Sequence, residues 1–410
     1  MRAFFLLGCL LALPAHGDQA PEILELLPSA RARPLLDQDP AVRAARAVLE
    51  AARREGQMLE LSPYDWTGRA STQRRTVRPA DRYQEWNVGV ERTLRLPAKA
   101  EADRKTASAT VELAAAQYGE ALHEAAKSLL TIYVDWLAAE HAVELAEANR
   151  QAARDSLAAV EKRVRAGDAS RLDQSLAQAD AAEQDRLASD VRTLANVGWA
   201  RLQTRYAGLT RQPRALPTPP PIGPETAYWR DRIVAESDTL KVAEAEVRKS
   251  RAHTERLRAE RTPDPTVGGF TASEIGGAER LIGVYVSIPF SGERRSLNAE
   301  RGEYLVETAR HQAERSKREL EADIAASVAN AAGAYQGWKI AEAAVQAAQE
   351  NAKLMQRAYS LGEADLQALL LARRQATGAA QSTLASKIAA LKSYSLLLID
   401  AHLIWGLEHD

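Results

Sequence analysis

Cysteine is almost missing from this chain: Cys9 is the only one in 410 residues. A disulfide framework is therefore excluded. Aromatic residues are only 5% of the sequence, with four Phe, and Met occurs three times. A large globular core would hold more of these, so compact domains fit poorly. Long helices packed through Ala and Leu seams fit better. Neither sign of charge dominates, since 54 Lys and Arg face 55 Asp and Glu. The two signs are mixed along the chain, as on a solvated helix surface, and point to no nucleic-acid partner. No long hydrophobic run follows the first twenty residues. The best stretch, 396–407, is short and contains Asp400, His402 and Gly406, so no membrane-spanning helix is expected. Enzyme motifs are missing too: there is no phosphate-binding glycine loop, no Gly-x-Ser-x-Gly and no His-Glu-x-x-His. Beyond the N-terminal leader the histidines are His123, His141, His253, His311, His402 and His409. None is paired at ligand spacing, so no metal site and no cofactor are expected. His402 and His409 are expected to face solvent.

What is present begins with the leader. Arg2 precedes an apolar run over 4–13, about ten residues and too short to span a bilayer. Pro14 breaks it, and Ala15-His16-Gly17 offers small residues where a signal peptidase reads. Residues 1–17 are read as a secretory signal. The rival reading is a lipoprotein signal, because Leu6-Leu7-Gly8-Cys9 resembles a lipobox and would make Cys9 the lipidated residue.

The remainder is a duplication. Val88-Gly89-Val90 leads to Leu94-Arg95-Leu96-Pro97, and Ile282-Gly283-Val284 leads to Val286-Ser287-Ile288-Pro289. A second landmark, Arg163 to Asp168 around Gly167, recurs as Ala358 to Glu363 around Gly362, at the same spacing of roughly 190–195 residues. The first repeat covers 18–208 and the second 225–410. The linker between them, 209–224, holds six prolines in the twelve residues 213–224, which makes it stiff and extended.

Each copy reads as a helix, a β-hairpin and a long helical hairpin. The first helices span about 40–57 and 225–260. The β-hairpins span about 61–97 and 264–290, with turn chemistry at Arg78-Pro79-Ala80-Asp81 and Ile275-Gly276-Gly277. Val88, Val90, Leu94 and Leu96 share one strand face, Arg92 being the exception, against Asn87, Gly89, Glu91, Thr93 and Arg95. Tyr64, Trp66, Gly68 and Ala70 oppose Asp65, Thr67, Arg69 and Ser71. Ile282, Val284, Val286, Ile288 and Phe290 alternate with Gly283, Tyr285 and Ser287. Period two with one polar face indicates a sheet with water on one side. The helical hairpins cover about 98–208, turning at Gly167, and about 291–405, turning at Gly362. Leu122, Leu129, Trp136, Val143, Leu157 and Val164 keep a seven-residue rhythm that Arg150 interrupts. Ile324, Ala331, Trp338, Val345, Ala352 and Tyr359 keep it in the second copy, which implies coiled-coil packing.

Four strands cannot close a barrel, and an open edge cannot sit in lipid. Two chains would give eight strands with a filled interior, whereas three would give twelve and room for water. Tyr64, Trp66, Tyr83, Trp86, Phe270 and Tyr285 cluster at the strands like an interfacial girdle.

The order of signal, duplicated strand–strand–helix–helix unit and Pro-rich linker resembles the TolC-like outer-membrane efflux proteins over nearly the whole mature chain. The stretch from Val88 to Lys99, with Glu91 before Leu94-Arg95-Leu96-Pro97-Ala98-Lys99, is similar to the CzcC-like heavy-metal branch. The resemblance implies a mainly α protein with a small β part. Three protomers would share a twelve-stranded transmembrane β-barrel, continued by an α-barrel across the periplasm. It implies an exit duct for metal cations or small molecules, with no catalysis. The partners implied are outer-membrane lipid, an adaptor protein and an inner-membrane pump of RND type. Gly167, Asp168, Gly362 and Glu363 would form the tips that meet the adaptor. Asp173 and Asp365 could form charge rings at a periplasmic gate. The family's usual gate carboxylates fall here on Ala368 and Leu371, a departure from its pattern. The alternatives are a protein-secretion (type I) channel and a periplasmic coiled-coil adaptor or scaffold.

Overall fold

The computed structural model describes residues 21–77, 81–223, 225–290 and 292–407. The expected signal with Cys9, the turn residues 78–80 and His409 lie outside the described residues. The first copy contains α1 (Ser29–Gln38), α2 (Pro40–Glu60), β1 (Thr67–Val77), β2 (Asp81–Thr93), α3 (Pro97–Ala166) and α4 (Arg171–Arg205). The second contains α5 (Thr226–Glu236), α6 (Asp238–Ala259), β3 (Thr266–Glu274), β4 (Glu279–Ser287), α7 (Glu293–Leu361) and α8 (Leu366–Asp400).

The helix expected over about 40–57 is present as α2, and one expectation about helices needs correction. The helix expected over 225–260 is broken at Ser237, and the first-copy helix is preceded by α1. The breaks are equivalent and each is made by a cap. The Asp39 carboxylate accepts from the Ala41 N–H at 2.8 Å, with Pro40 in the first helical turn. The Ser237 hydroxyl accepts from the Leu240 N–H at 3.3 Å. A short polar side chain that bonds the backbone ahead of it starts a new helix even inside a helix-favouring stretch.

The helix α3 has 70 residues and α7 has 69, so each is about 100 Å long. Each starts without a proline in its interior beyond the first turn and ends at a left-handed glycine. Their partners are half as long, and this sets the architecture. In the half nearest the turns, the side-by-side order is α4, α3, α8, α7. In the half nearest the sheet it is α2, α3, α6, α7. The sheet continues the layer in the order β1-β2-β3-β4, all antiparallel. One lateral edge of the molecule is therefore formed by α4, α2 and β1, and the other by α7 and β4.

The main core lies at the waist, where the partners change. The heptad residues Leu122, Leu129, Trp136, Ile324, Ala331 and Trp338 are each 3% exposed or less. Further along the hairpins Val143, Leu157, Val345 and Ala352 are only half-buried. The first and last described segments close on the waist. The Tyr394 hydroxyl donates to the Glu22 carbonyl at 2.8 Å, and the Trp405 indole N–H donates to the Leu27 carbonyl at 2.8 Å. The linker crosses the helices here too, with Lys387 donating to Leu216 O at 3.0 Å.

The sheet is joined to the helices by a buried polar node. Lys99 Nζ lies 2.9 Å from Asp264 and 3.3 Å from Glu260, with Lys99 and Asp264 both buried. Asp264 also accepts from the Leu96 N–H at 3.0 Å and the Tyr64 hydroxyl at 2.7 Å. Arg95 donates to the carbonyls of Leu59 and Glu60 and to Asp103. Burial works against the Asp264 carboxylate, but the Leu96 N–H, Tyr64 and Lys99 outweigh it and hold its carboxyl below the ordinary value. That stabilisation is present above the unfolded pKa, about 4, and is lost as pH falls through the lower folded value. Asp264→Ala would leave a buried ammonium without its nearest partner and is expected to cost about 3–5 kcal/mol. Thermal unfolding of the detergent-purified variant measures this, and Asp264→Glu should lose less.

Candidate functional site

The surfaces open to a partner or a medium are the two faces of the sheet and the turns at the far ends of the helices. Strand alternation assigns the faces of the sheet. Trp66, Trp86, Val88, Val90, Ile282, Val284, Val286 and Ile288 share one face. All are large apolar side chains left open to the surroundings, Ile282 and Val284 reaching 90% and 89% exposure. A contiguous patch of this kind needs an apolar medium or a partner against it. Arg92 shares that face and sits over the Trp66 ring at 5.4 Å, which covers the exception noted in the sequence.

The opposite face is polar and internally paired. Arg75 Nε lies 2.9 Å from the buried Glu85 carboxylate and Arg75 Nη2 lies 3.2 Å from Glu274. Gln73 donates to Glu85 at 2.8 Å. Arg69 pairs with Glu91 at 2.7 Å, and the Tyr285 hydroxyl donates to the same carboxylate. Glycine is needed on this face for close approach. A Cβ at Gly268 would meet the Tyr285 ring at 2.6 Å, and one at Gly283 would meet the Phe270 ring at 2.5 Å.

This register corrects the expected aromatic girdle. Only Trp66 and Trp86 lie on the apolar face. Tyr83, Phe270 and Tyr285 lie on the polar one. Tyr64 precedes β1 and is bound to Asp264; burial, then Asp264 itself, pushes its hydroxyl up to about 12. The sequence places aromatics near strands, but the side on which Phe270 lies follows from its pairing with the distant Gly89.

At the far end both helical hairpins turn on glycine. Gly167 has φ 85° and Gly362 has φ 78°, the left-handed region that costs side-chain-bearing residues about 1–2 kcal/mol. Each turn satisfies the last carbonyls of its helix in the same pattern. The Gly167 N–H bonds Val164 O at 3.1 Å and the Asp168 N–H bonds Arg163 O at 2.8 Å. The Gly362 N–H bonds Tyr359 O at 3.1 Å and the Glu363 N–H bonds Ala358 O at 2.9 Å. Asp168 and Glu363 are exposed. Asp173 makes a capping box with Ser170, and Asp365 accepts from the Ala368 N–H at 2.7 Å. Both carboxylates thus serve as caps. The two turns share one small core of Val160, Ala177, Leu366, Leu369 and Leu370. Arg163 sits 5.1 Å above the Tyr359 ring and bridges the hairpins. Leu371, at one of the positions where the family keeps a carboxylate, is exposed.

At the waist the structure overturns the expectation about histidines. His402 is buried, with its side chain 1% exposed. Its Nε2 lies 3.3 Å from His123 Nδ1 and 3.3 Å from Asp238 Oδ2. The other His123 nitrogen, Nε2, lies 3.1 Å from Asp400. No spacing rule reveals this group, because His123 and His402 are 279 residues apart.

Residues 32–207 match the family described as outer membrane efflux protein. The match covers most of the first copy. No curated protein matches the sequence. Solved structures match over both copies. The chain is similar to the outer membrane protein VceC from Vibrio cholerae, with 18% identity, 92% of this chain and 96% of that one covered, and a TM-score of 0.73. It is similar to CusC, a transmembrane channel, at 16% identity, 92% of each chain and a TM-score of 0.73. It is also similar to the CmeC outer membrane channel from Campylobacter jejuni, at 13% identity, 92% and 85% coverage and a TM-score of 0.72. At these identities the likeness establishes a common fold.

The face assignment is open to direct measurement. Beyond the leader the chain has no cysteine, so single cysteines can be placed at will. In native membranes Ile282→Cys is expected to resist a charged maleimide and Asn87→Cys to react. Equal labelling of both would contradict a lipid-facing apolar side.

Proposed function

We propose that three copies of this chain close into one outer-membrane exit duct, fed by an inner-membrane pump through an adaptor. The observation that carries this reading is the pair of open lateral edges. Within one chain β1 and β4 each have one unpaired side. Unpaired backbone groups cost several kcal/mol each in a bilayer, so both edges must find a strand. Pairing the β4 of one copy with the β1 of the next satisfies both, and three copies of a four-stranded sheet make twelve strands. The helical edges agree. Tyr304, Ile340, Leu354 and Leu361 on α7 are each at least 59% exposed, as are Leu172 and Leu194 on α4, which suits a seam between neighbours.

In this duct the paired charges of the polar face line the lumen, and the apolar face meets lipid. The turns at Gly167 and Gly362 form the periplasmic rim, where exposed Asp168 and Glu363 offer the adaptor an acidic contact. Asp173 and Asp365, next to the turns, would stand as rings of three charges near that rim. The cargo is proposed to be metal cations or small molecules and the pump to be of RND type, on the resemblance carried by residues 88–99. In the structure Arg95 and Lys99 of that motif hold the sheet to the helices, so they contribute to the fold as well. A scaffold or adaptor leaves the apolar sheet face without a purpose.

Native mass spectrometry of the protein extracted from outer membranes is expected to count three chains. A monomer would overturn the shared barrel. With the assembly intact, Asp168→Lys combined with Glu363→Lys is expected to reduce cross-linking to the adaptor severalfold without changing the chain count.

A further inference from the structure

The waist holds a group of side chains that a wall-forming role leaves unused. His123 comes from α3 of the first copy. Asp238 is the first residue of α6, directly after the break at Ser237. His402 follows α8 and is held at φ 53°, a left-handed conformation that few residues other than glycine adopt. Their facing atoms all lie within 4.8 Å of one another.

The spacing is informative. Around an ion with ligands at about 2.05 Å and tetrahedral angles, neighbouring ligand atoms lie about 3.3 Å apart. The separations His123 Nδ1 to His402 Nε2 and His402 Nε2 to Asp238 Oδ2 are both 3.3 Å. The outer shell is also in place. Asp400 accepts from His123 Nε2, which fixes the tautomer and leaves Nδ1 with its lone pair free to coordinate. Lys127 in turn holds Asp400 at 3.3 Å.

Access is provided by a cavity of about 560 Å³ beside the group. It is lined by Glu120, Glu124, Asp238, Glu319, Asp323 and Asp400. Lys127 is the one Lys or Arg among the described lining residues. A recess with this imbalance concentrates cations at its wall.

We propose that His123, Asp238 and His402 form a binding site for a divalent transition-metal cation of the zinc class, with water as the fourth ligand. Two imidazoles and one carboxylate suit such an ion and are poor for magnesium or calcium, which prefer all-oxygen shells. The ion would join the first copy, the break in the second and the C-terminal segment at a single point. It would be a resident of the helix layer and distinct from anything carried through the lumen. The site lies within one chain and stands independently of the three-copy assembly.

The test uses the full-length protein in detergent, stripped with a chelator and kept in excess Mg²⁺. Titration with Zn²⁺ is expected to show one ion per chain and a rise in the unfolding temperature. Co²⁺ is expected to give the intense visible absorption of a four-coordinate site, bleached by added Zn²⁺. His123→Gln, which can still donate to Asp400, and Asp238→Asn are each expected to weaken Zn²⁺ binding at least about tenfold. His402→Asn serves as a third variant because Asn tolerates the left-handed backbone. The melting curve of each metal-free variant separates misfolding from loss of a ligand. Absence of Mg²⁺-resistant binding in the unaltered protein would overturn the site, leaving a buried His–Asp pair. So would unchanged affinity in folded variants, or the weak absorption of octahedral Co²⁺.

Discussion

Every backbone N–H and C=O in the hydrocarbon part of a membrane must be hydrogen-bonded. The rest of this molecule follows from that requirement. A four-stranded sheet meets it along β2 and β3 and fails it at the outer sides of β1 and β4. The apolar face with Ile282 and Val284 cannot be left in water, and the open edges cannot be left in lipid. Only a ring of sheets resolves both demands. The polar face, with Arg75–Glu85 and Arg69–Glu91 already paired, then encloses water at little electrostatic cost.

The helices extend the same wall into water, where the driving force changes from hydrogen bonding to apolar burial. The burial is concentrated at the waist and fades toward the tips. Trp136 and Trp338 are nearly inaccessible while Val345 and Ala352 are half-covered. The first and last described segments, the linker, and the capped breaks at Asp39 and Ser237 meet in this zone. The position is a physical necessity, because α4 and α8 end here and α2 and α6 must take over their places beside α3 and α7. The exchange leaves helix termini and polar side chains packed inside a layer, and buried polar groups must find partners. The meeting of His123, Asp238 and His402 is one result.

Much of this was legible in the sequence. Two landmarks repeated in order gave the duplication, and Gly167 and Gly362 marked the turns because only a residue without Cβ accepts that backbone freely. Alternation over 88–96 and 282–290 separated the faces. What escaped detection depends on contacts distant in the chain. The direction of Phe270 followed from its pairing with Gly89 of β2. The role of Lys99 followed from Asp264, which is 165 positions away. His402 looked like a surface residue near the C-terminus until the terminal segment folded back on α3. The break at Ser237 had a local cause, but a single serine among helix-favouring neighbours is a weak signal.

The duplication also bears on symmetry. Inside one chain β2 of the first copy pairs with β3 of the second, and α3 packs beside α6 and then α8. The edges left open are the same kinds of surface: a closing strand with its following long helix on one side, an opening strand with its preceding helix on the other. The covalent junction between the copies is therefore a worked instance of the seam between separate chains. A single unit of half this length would carry both sides of such a seam and could close a ring of six. Fusing two units turns half of those seams into intramolecular contacts, which do not depend on concentration. It also frees the two copies to diverge, so that a feature such as Lys99 opposite Asp264 can occur once per chain and not twice.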